Sequence, residues 1–600
     1  MKRAIIQLSL QLFNAVPQGK ASKISQKNSL KYGVFIDEKA AYATTAILDY
    51  FAKNKLSGEQ LNATFHKSWK TIKNSSRETL LLHQILHYCT TYGSNFKSDF
   101  IYIPVEELQI PELKQLPIRV IRGVEKQELL DKCLAMLSSG VALGEDTVDQ
   151  LLELLGLLGY RFTSVDTIKN KEALVKIIAK TGIYPTQPTE FLRYLVYLAT
   201  DSTLLIKSPL VMEAIKEKRL NITAHLRHYG LEKCATIFNR FKPIWLAFKA
   251  NKANVTFINK ISKLSKTLHQ PMPVDVLNTL TSQVYSKEEV KAALKKVNNF
   301  RKVRLLYALN TRLSFANAYL YKIRNGKSFA KMGTTKLEWT YFEEMYQLIY
   351  QDLVDSLAVK GMRIKYPGFI DYALPASEKM FVGNVPVGTK ITARKLVSGV
   401  YWENAWGARD LDLSALSLSG KVGWNDAYQG QGLLYSGDMT DAKNGATELL
   451  YTDSKIVEPS LSQLNIYNGE VNCKFKMVIG QADKIEQNYT FNPNELLLEV
   501  ETSMKSKQQI LGLFMPEKDN KMSFTLVNTG LGNISVSGRS ENSDNARNAL
   551  YFQYVCPISF RQLLQDAGAI LVEKEGEIDL DLSPQQLQKD TLMNLVASLN

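Results

Sequence analysis

The acidic residues of the last third of the chain stand where they could hold a hard cation. Asp410 and Asp412 fall in RDLDLSALSL, Asp438 and Asp441 in SGDMTD, and Glu448 in GATELLYTD. Each group closes a short run that alternates apolar and polar residues, as half-buried strands require. Strand ends from distant positions meet at one rim of an antiparallel sandwich. Carboxylates gathered there repel one another unless a hard cation sits between them, and Ca²⁺ takes about six to eight oxygen ligands. Asp410, Asp412, Asp438 and Glu448 are therefore the candidate ligands, with Ca²⁺ as the cofactor. The ordinary alternative is a set of hydrated turn aspartates, since Asp favours turns.

A second kind of chemistry is written in cations. Between Ser286 and Lys331 the chain carries Lys291, Lys295, Lys296, Arg301, Lys302, Arg304, Arg312, Lys322, Arg324, Lys327 and Lys331, against Glu288 and Glu289 alone. Phe300, Tyr307, Phe315, Tyr319, Tyr321 and Phe329 are interleaved among them. Cations spaced along a helix can track phosphates, and exposed aromatics can stack on unpaired bases. A further basic run from Lys233 to Lys266 includes Arg240, Lys242, Lys249, Lys252, Lys260 and Lys263. The competing reading keeps the aromatics in the core and the lysines as solubilising decoration.

Other constellations fail on their chemistry. His83 and His87 share a helix face, but Gln84 stands where a metalloprotease needs a Glu as general base. Gly326–Lys327–Ser328 resembles the end of a phosphate loop, yet Tyr321 occupies the position of its first glycine and no strand precedes it. The five cysteines are odd in number, scattered and free of any CxxC, which argues for buried thiols. No nucleophile elbow or catalytic set is visible. The chain reads as a non-catalytic binding protein, with an enzyme of unwritten site left as the alternative.

Length sets the frame for these residues. A chain of 600 residues exceeds one core and implies several domains. With 45% hydrophobic and 22% charged residues it has globular composition, and it holds no apolar run long enough to span a membrane. Gln7, Gln11 and Asn14 interrupt the apolar start, so MKRAIIQLSLQLFN reads as a strand or helix rather than a signal, and the expected location is cytoplasmic. The net charge of +15 hides a segregation. Residues 1–400 hold 58 Lys+Arg against 33 Asp+Glu, and residues 401–600 hold 16 against 26. A basic part joined to an acidic part suggests a polyanion partner for the first.

The elements follow from periodicity. Residues 1–124 are mixed and mainly helical; SSRETLLLHQILHYCTTY opens with a Ser cap and Glu78 in its first turn. Residues 125–365 are a basic helical domain whose 10-to-18-residue helices form a bundle or irregular solenoid. Residues 366–390, rich in Pro and Gly, read as a linker. Strands dominate 391–556, and 557–600 is a short helical tail whose last helix is expected to start at Pro584 with Ser583 as cap. The fold class is thus multidomain α + β: mostly helical first, an antiparallel β-sandwich after it, then a helical tail.

The acidic stretch also resembles the TerD family of tellurite-resistance and stress-response proteins. The matching residues are Trp402–Glu403, Asp410–Leu411–Asp412–Leu413–Ser414–Ala415, Ser436–Gly437–Asp438–Met439–Thr440 and Gly445–Ala446–Thr447–Glu448, within roughly residues 395–540. The resemblance implies a β-sandwich and calcium at these acids. Two departures bear on the metal: Met439 replaces an Asn, and Glu448 stands alone where the family has consecutive carboxylates. The expected function is a cytoplasmic binding protein whose basic helical part grips RNA or another polyanion while the sandwich recruits a protein partner. The alternative is a calcium-responsive stress or defence scaffold docked on anionic membrane or acidic protein.

Overall fold

The computed structural model describes residues 2–54, 76, 78–82, 85, 118–272, 275–314, 318–322, 328–332, 337–417, 419–424, 427–430, 432–452, 458–482, 492–530, 558–573 and 576–598, with no side-chain description over 314–336. The chain forms two compact units. One comprises Met1–Gln18, Val124–Leu280 and Glu288–Asn298; the other comprises Gly19–Gly123, Thr281–Lys287 and Asn299–Asn600.

The first unit is helical because its apolar residues recur at intervals of three and four. Its helices include α1 (Lys2–Phe13), α2 (Lys126–Ser138), α3 (Glu145–Leu157), α4 (Lys171–Thr181), α5 (Pro188–Thr200), α6 (Pro209–Lys218), α7 (Thr223–Tyr229), α8 (Leu231–Ala235), α9 (Lys242–Ala247) and α10 (Val255–Leu268). Local signals set their ends. Asn170 caps α4 by accepting from the Glu172 and Ala173 amides, and Gly182, at φ 72°, closes it. Leu151, Leu154, Ile178, Phe191, Leu195 and Trp245 fill the core. Asn254, fully buried, ties the middle of the unit together. Its Nδ2 donates to the Leu220 and Phe248 carbonyls at 2.8 and 2.9 Å, and its Oδ1 accepts from the Ile222 amide at 3.0 Å.

The second unit carries the sheets. Its strands include β1 (Ile370–Asp371), β2 (Lys390–Ala393), β3 (Leu396–Trp402), β4 (Ala408–Leu416), β5 (Lys421–Gly423), β6 (Gln429–Gly430), β7 (Leu433–Tyr435), β8 (Ala446–Thr452), β9 (Ser460–Gly469), β10 (Lys474–Gln481), β11 (Leu496–Ser503), β12 (Gln508–Pro516) and β13 (Met522–Gly530). Among the described residues they make a seven-stranded sheet in the order β5-β4-β9-β12-β13-β2-β1 and a six-stranded sheet in the order β6-β7-β8-β3-β10-β11. All the pairings within them are antiparallel, and β4 packs across on β8. The alternation of the sequence is thus converted into two layers facing one core. Gly399 marks a close approach between neighbouring strands of one sheet: a Cβ there would run into the Glu448 carbonyl oxygen on the adjacent β8.

The mixed α + β multidomain class stands, and two local expectations change. Residues 366–390 are core rather than linker: Tyr366 and Tyr372 are fully buried, and the Tyr372 hydroxyl donates to the Leu582 carbonyl at 2.7 Å. Proline and glycine punctuate the segment, but the aromatic residues between them decide its burial. The final helix starts at Lys589, capped by Gln588 and Thr591, not at Pro584. Ser583 instead closes a single turn, its carbonyl accepting from the Gln586 and Leu587 amides. The helices Asn299–Ser314 (α11) and Trp339–Ser356 (α12) pack on each other inside the sheet-bearing unit, so this part of the basic stretch groups with the sandwich.

Candidate metal centre

β4 brings Asp410 and Asp412 to the site from alternate positions of one strand, which therefore share a face. An irregularity in the β4–β9 register falls at Asp410, while Asp412 pairs opposite Asn465. The loop after β7 supplies Asp438, next to Gly437 at φ 116°. One carboxylate oxygen from each of Asp410, Asp412 and Asp438 lies within 4.8 Å of the others. All three residues are 0% exposed. Neither oxygen of Asp412 accepts a hydrogen bond from any described residue.

Glu448, on β8, is equally buried but differently employed. Its Oε2 accepts from the Leu413 amide and its Oε1 from the Met439 amide, both at 2.8 Å. One side chain thereby clamps the strand that carries Asp410 and Asp412 to the loop that carries Asp438. Asp441 lies apart from the cluster, accepting from Asn404 Nδ2 at 2.8 Å and Arg409 Nε at 3.1 Å.

Burial and like charge dominate the electrostatics. Desolvation, then Asp410, Asp438 and Glu448, push the Asp412 carboxyl well above the ordinary carboxylate range, opposed by Lys421. Glu448 is also raised well above its usual range, by burial first and Asp438 second, against the Tyr435 hydroxyl and its two amide donors. A cation between the three aspartates reverses this logic, because it supplies the charge that burial has removed. Oxygen-only donors fit a hard ion such as Ca²⁺ rather than a thiophilic metal.

No family model matches this chain, and no curated protein matches it. A solved structure of a protein of unknown function, SAV2460, is 14% identical to it, spanning 24% of this chain and 92% of its own length at a TM-score of 0.19. A likeness of that score carries no argument about function.

The predicted basic residues scatter across roles. Arg240, Lys242, Lys295 and Lys296 belong to the helical unit; Lys242, Lys295 and Lys296 are exposed and Arg240 is half-buried over the Phe241 ring. Arg301, Lys302, Arg304 and Arg312 lie on α11 in the sheet-bearing unit. Lys302 is only 6% exposed and pairs with Asp352 of α12 at 2.7 Å, so it holds two helices together. Arg312 donates back to the Ala308 carbonyl at 2.7 Å. Burial, then the Arg301 charge, lower the Arg304 pKa from its ordinary value. The side chain of Lys322, and Arg324 and Lys327 entirely, lie outside the described residues, as do His83, His87 and Cys89.

The aromatics offered for base stacking are packed where they are described. Phe300 is fully buried and the Tyr307 hydroxyl donates to the Leu374 carbonyl at 2.8 Å. Burial pushes the thiols of Cys133 and Cys234 up to about 12 and that of Cys473 to about 11. Such thiols are protonated and inert at neutral pH. Missing from the sequence reading was the clamp by Glu448, because its partners are backbone amides, one on the facing sheet at Leu413 and one in the β7–β8 connection at Met439.

Proposed function

We propose that this chain is a non-catalytic binding protein whose TerD-like sandwich holds a divalent cation, Ca²⁺ by donor type, between Asp410, Asp412 and Asp438. The observation that supports this reading is Asp412: a carboxylate with no surface exposure and no hydrogen-bond donor among the described residues, facing two more carboxylates. A buried, unsatisfied anion costs several kcal/mol, so its placement asks for a compensating charge. Glu448 acts as the positioning group: each of its oxygens accepts a backbone amide, and the three carboxylates gathered within 4.8 Å are those of Asp410, Asp412 and Asp438. The ion would fix the loop after β7 onto β4, giving the sandwich a cation-dependent surface for a protein partner.

The basic helical residues carry the second half of the proposal, binding of RNA or a related polyanion. From Lys233 to Lys266 the sequence has eight cations and no carboxylate. The test of the metal is a Ca²⁺ titration of the full chain stripped with chelator, followed by thermal unfolding, with Mg²⁺ as a second arm. A bound ion stabilises by RT ln(1 + [L]/Kd), about 2.7 kcal/mol at a hundredfold excess over Kd. A rise in unfolding temperature with Ca²⁺ that Asp412→Asn abolishes supports the site. No shift at millimolar Ca²⁺ or Mg²⁺ overturns it.

A further inference from the structure

The run Lys233–Lys266 in the helical unit has a surface whose chemistry can be read in detail. It contains Lys233, Arg240, Lys242, Lys249, Lys252, Lys260, Lys263 and Lys266, and no Asp or Glu. Among the described residues, none of the eight is ion-paired. Lys249 donates to Asn259 Oδ1 at 2.7 Å, and Lys233 stands over the Tyr229 ring. This differs from α11, where a lysine of the same sequence signal is buried against an aspartate.

α10 decides which way the charges face. It buries Ile258, Ile261 and Ser265. At about 100° per residue, Lys260, Lys263 and Lys266 fall on the side opposite that stripe, with Asn259 and Thr267. All five are exposed. Across from them α8, packed on α10, contributes Lys233. Lys233, Lys260, Lys263 and Thr267 line a groove of about 740 Å³, in which Glu232 is the one carboxylate.

The apolar content of the run points inward. Phe238, Trp245, Phe248, Ile258 and Ile261 are buried, and Phe257 is covered by the Arg227 guanidinium at 5.0 Å. A helix that lies on a membrane needs an apolar face turned outward, and α10 has spent its apolar face on the core. Base-specific readers of single strands need exposed rings, and the rings of this run are packed. What remains outward, apart from Leu246, is mainly positive charge with small hydrogen-bonding groups, which suits phosphates.

We infer that the α8–α10 groove is the surface through which the helical unit holds a nucleic acid, and that it grips the phosphate backbone without reading bases. This rests on the polyanion half of the proposed function and adds the site and the mode. Lys233, Lys260 and Lys263 each neutralise a phosphate; Lys266 and Lys242 extend the field.

The experiment measures binding of the intact protein to fluorescent uridylate and adenylate strands of about 20 nucleotides across a salt series. Equal affinity for both strands, within about threefold, is expected. Lys260→Glu with Lys263→Glu weakens both strands equally, by at least about tenfold, and the milder Lys260→Gln with Lys263→Gln lowers the salt slope by roughly 1.4. Circular dichroism and thermal unfolding confirm that these exposed substitutions leave the fold intact. Lys474→Glu with Lys505→Glu, in the sandwich, leaves affinity unchanged. If the protein binds RNA but the groove variants bind as well as the parent, the groove assignment is wrong while polyanion binding stands. A strong preference for one strand overturns the phosphate-only mode. No salt-dependent RNA binding at all removes the polyanion reading itself, and binding to phosphatidylserine vesicles in its place identifies a membrane surface instead.

Discussion

The sandwich and the helical unit hold excess charge in opposite ways. In the sandwich three like charges are gathered within 4.8 Å and withdrawn wholly from water. In the helical unit a run of eight cations holds no acid, and six of the eight are exposed. Burial makes the acidic site expensive whenever it is ionised, a cost that a proton or a bound cation relieves. Exposure makes the basic surface cheap and undiscriminating, since each lysine keeps its hydration and any phosphate can exchange for a counterion. The same arithmetic of net charge thus produces a point site in one place and a diffuse field in the other.

The sharpest way to break this comparison is at Asp412. Asp412→Asn is expected to erase the cation-induced gain of about 2.7 kcal/mol at a hundredfold excess of Ca²⁺ over Kd, while raising the stability of the cation-free protein. Calorimetry with and without chelator measures both. Loss of stability in the cation-free variant would mean that Asp412 is an ordinary structural carboxylate.

Lys302 offers a smaller, complementary effect. Lys302→Ala strands Asp352 and should cost about 2 kcal/mol, toward the low side for a buried pair because Asp352 is about a third exposed. Denaturant unfolding reads that loss. The folded variant should retain its RNA affinity and salt slope, in contrast to the groove lysines. Weakened binding with unchanged stability would return Lys302 to the polyanion surface.

The two units should also answer acid in opposite senses, with the smallest effects of the set. Asp412, held above its ordinary range, favours the folded state most fully below the ordinary carboxyl pKa. That contribution is lost as pH rises through the elevated native value in cation-free protein, and Ca²⁺ should flatten the loss. His225 behaves inversely. Burial lowers its pKa, and the Tyr184 hydroxyl lies 2.7 Å from its Nδ1. Its contribution is intact above pH ~6.5 and declines as pH falls toward the depressed native value. Unfolding temperature against pH in chelator, for the parent and for His225→Phe, separates the two. A His225→Phe profile that still steepens below pH ~6.5 would assign the acid sensitivity to another group.

Alternating and helical periodicities were enough to locate most sheets and helices, because side-chain burial repeats every two residues in one and every three to four in the other, but they missed the strand pair Ala318–Lys322 and Ser328–Met332 in the stretch read as helical. They also singled out Asp410, Asp412 and Asp438 as carboxylates beside short strands, although Asp410 and Asp412 lie within the nine-residue β4 rather than at its end. Charge runs needed more. The stretch around Arg301–Arg304 and the stretch around Lys260–Lys263 look alike as sequence, yet one helix turns a lysine into an ion pair while the other turns its lysines to water. Which face a helix buries depends on its neighbours, and those come from elsewhere in the chain.

What the sequence determined by itself, then, was the class of each segment and the sign of its charge, since both follow from residue type and short-range spacing. Tertiary structure alone decided which charges are buried, which are paired and which meet. Glu448 is the clearest case: it became a clamp because two sheets stack so that its carboxylate, already holding the Met439 amide of its own sheet's loop, also reaches the Leu413 amide of the facing sheet. Residues 366–390 are another, where prolines and glycines that suggest a linker are overruled by two buried tyrosines. Burial depends on contacts between distant residues, and no local pattern carries that information.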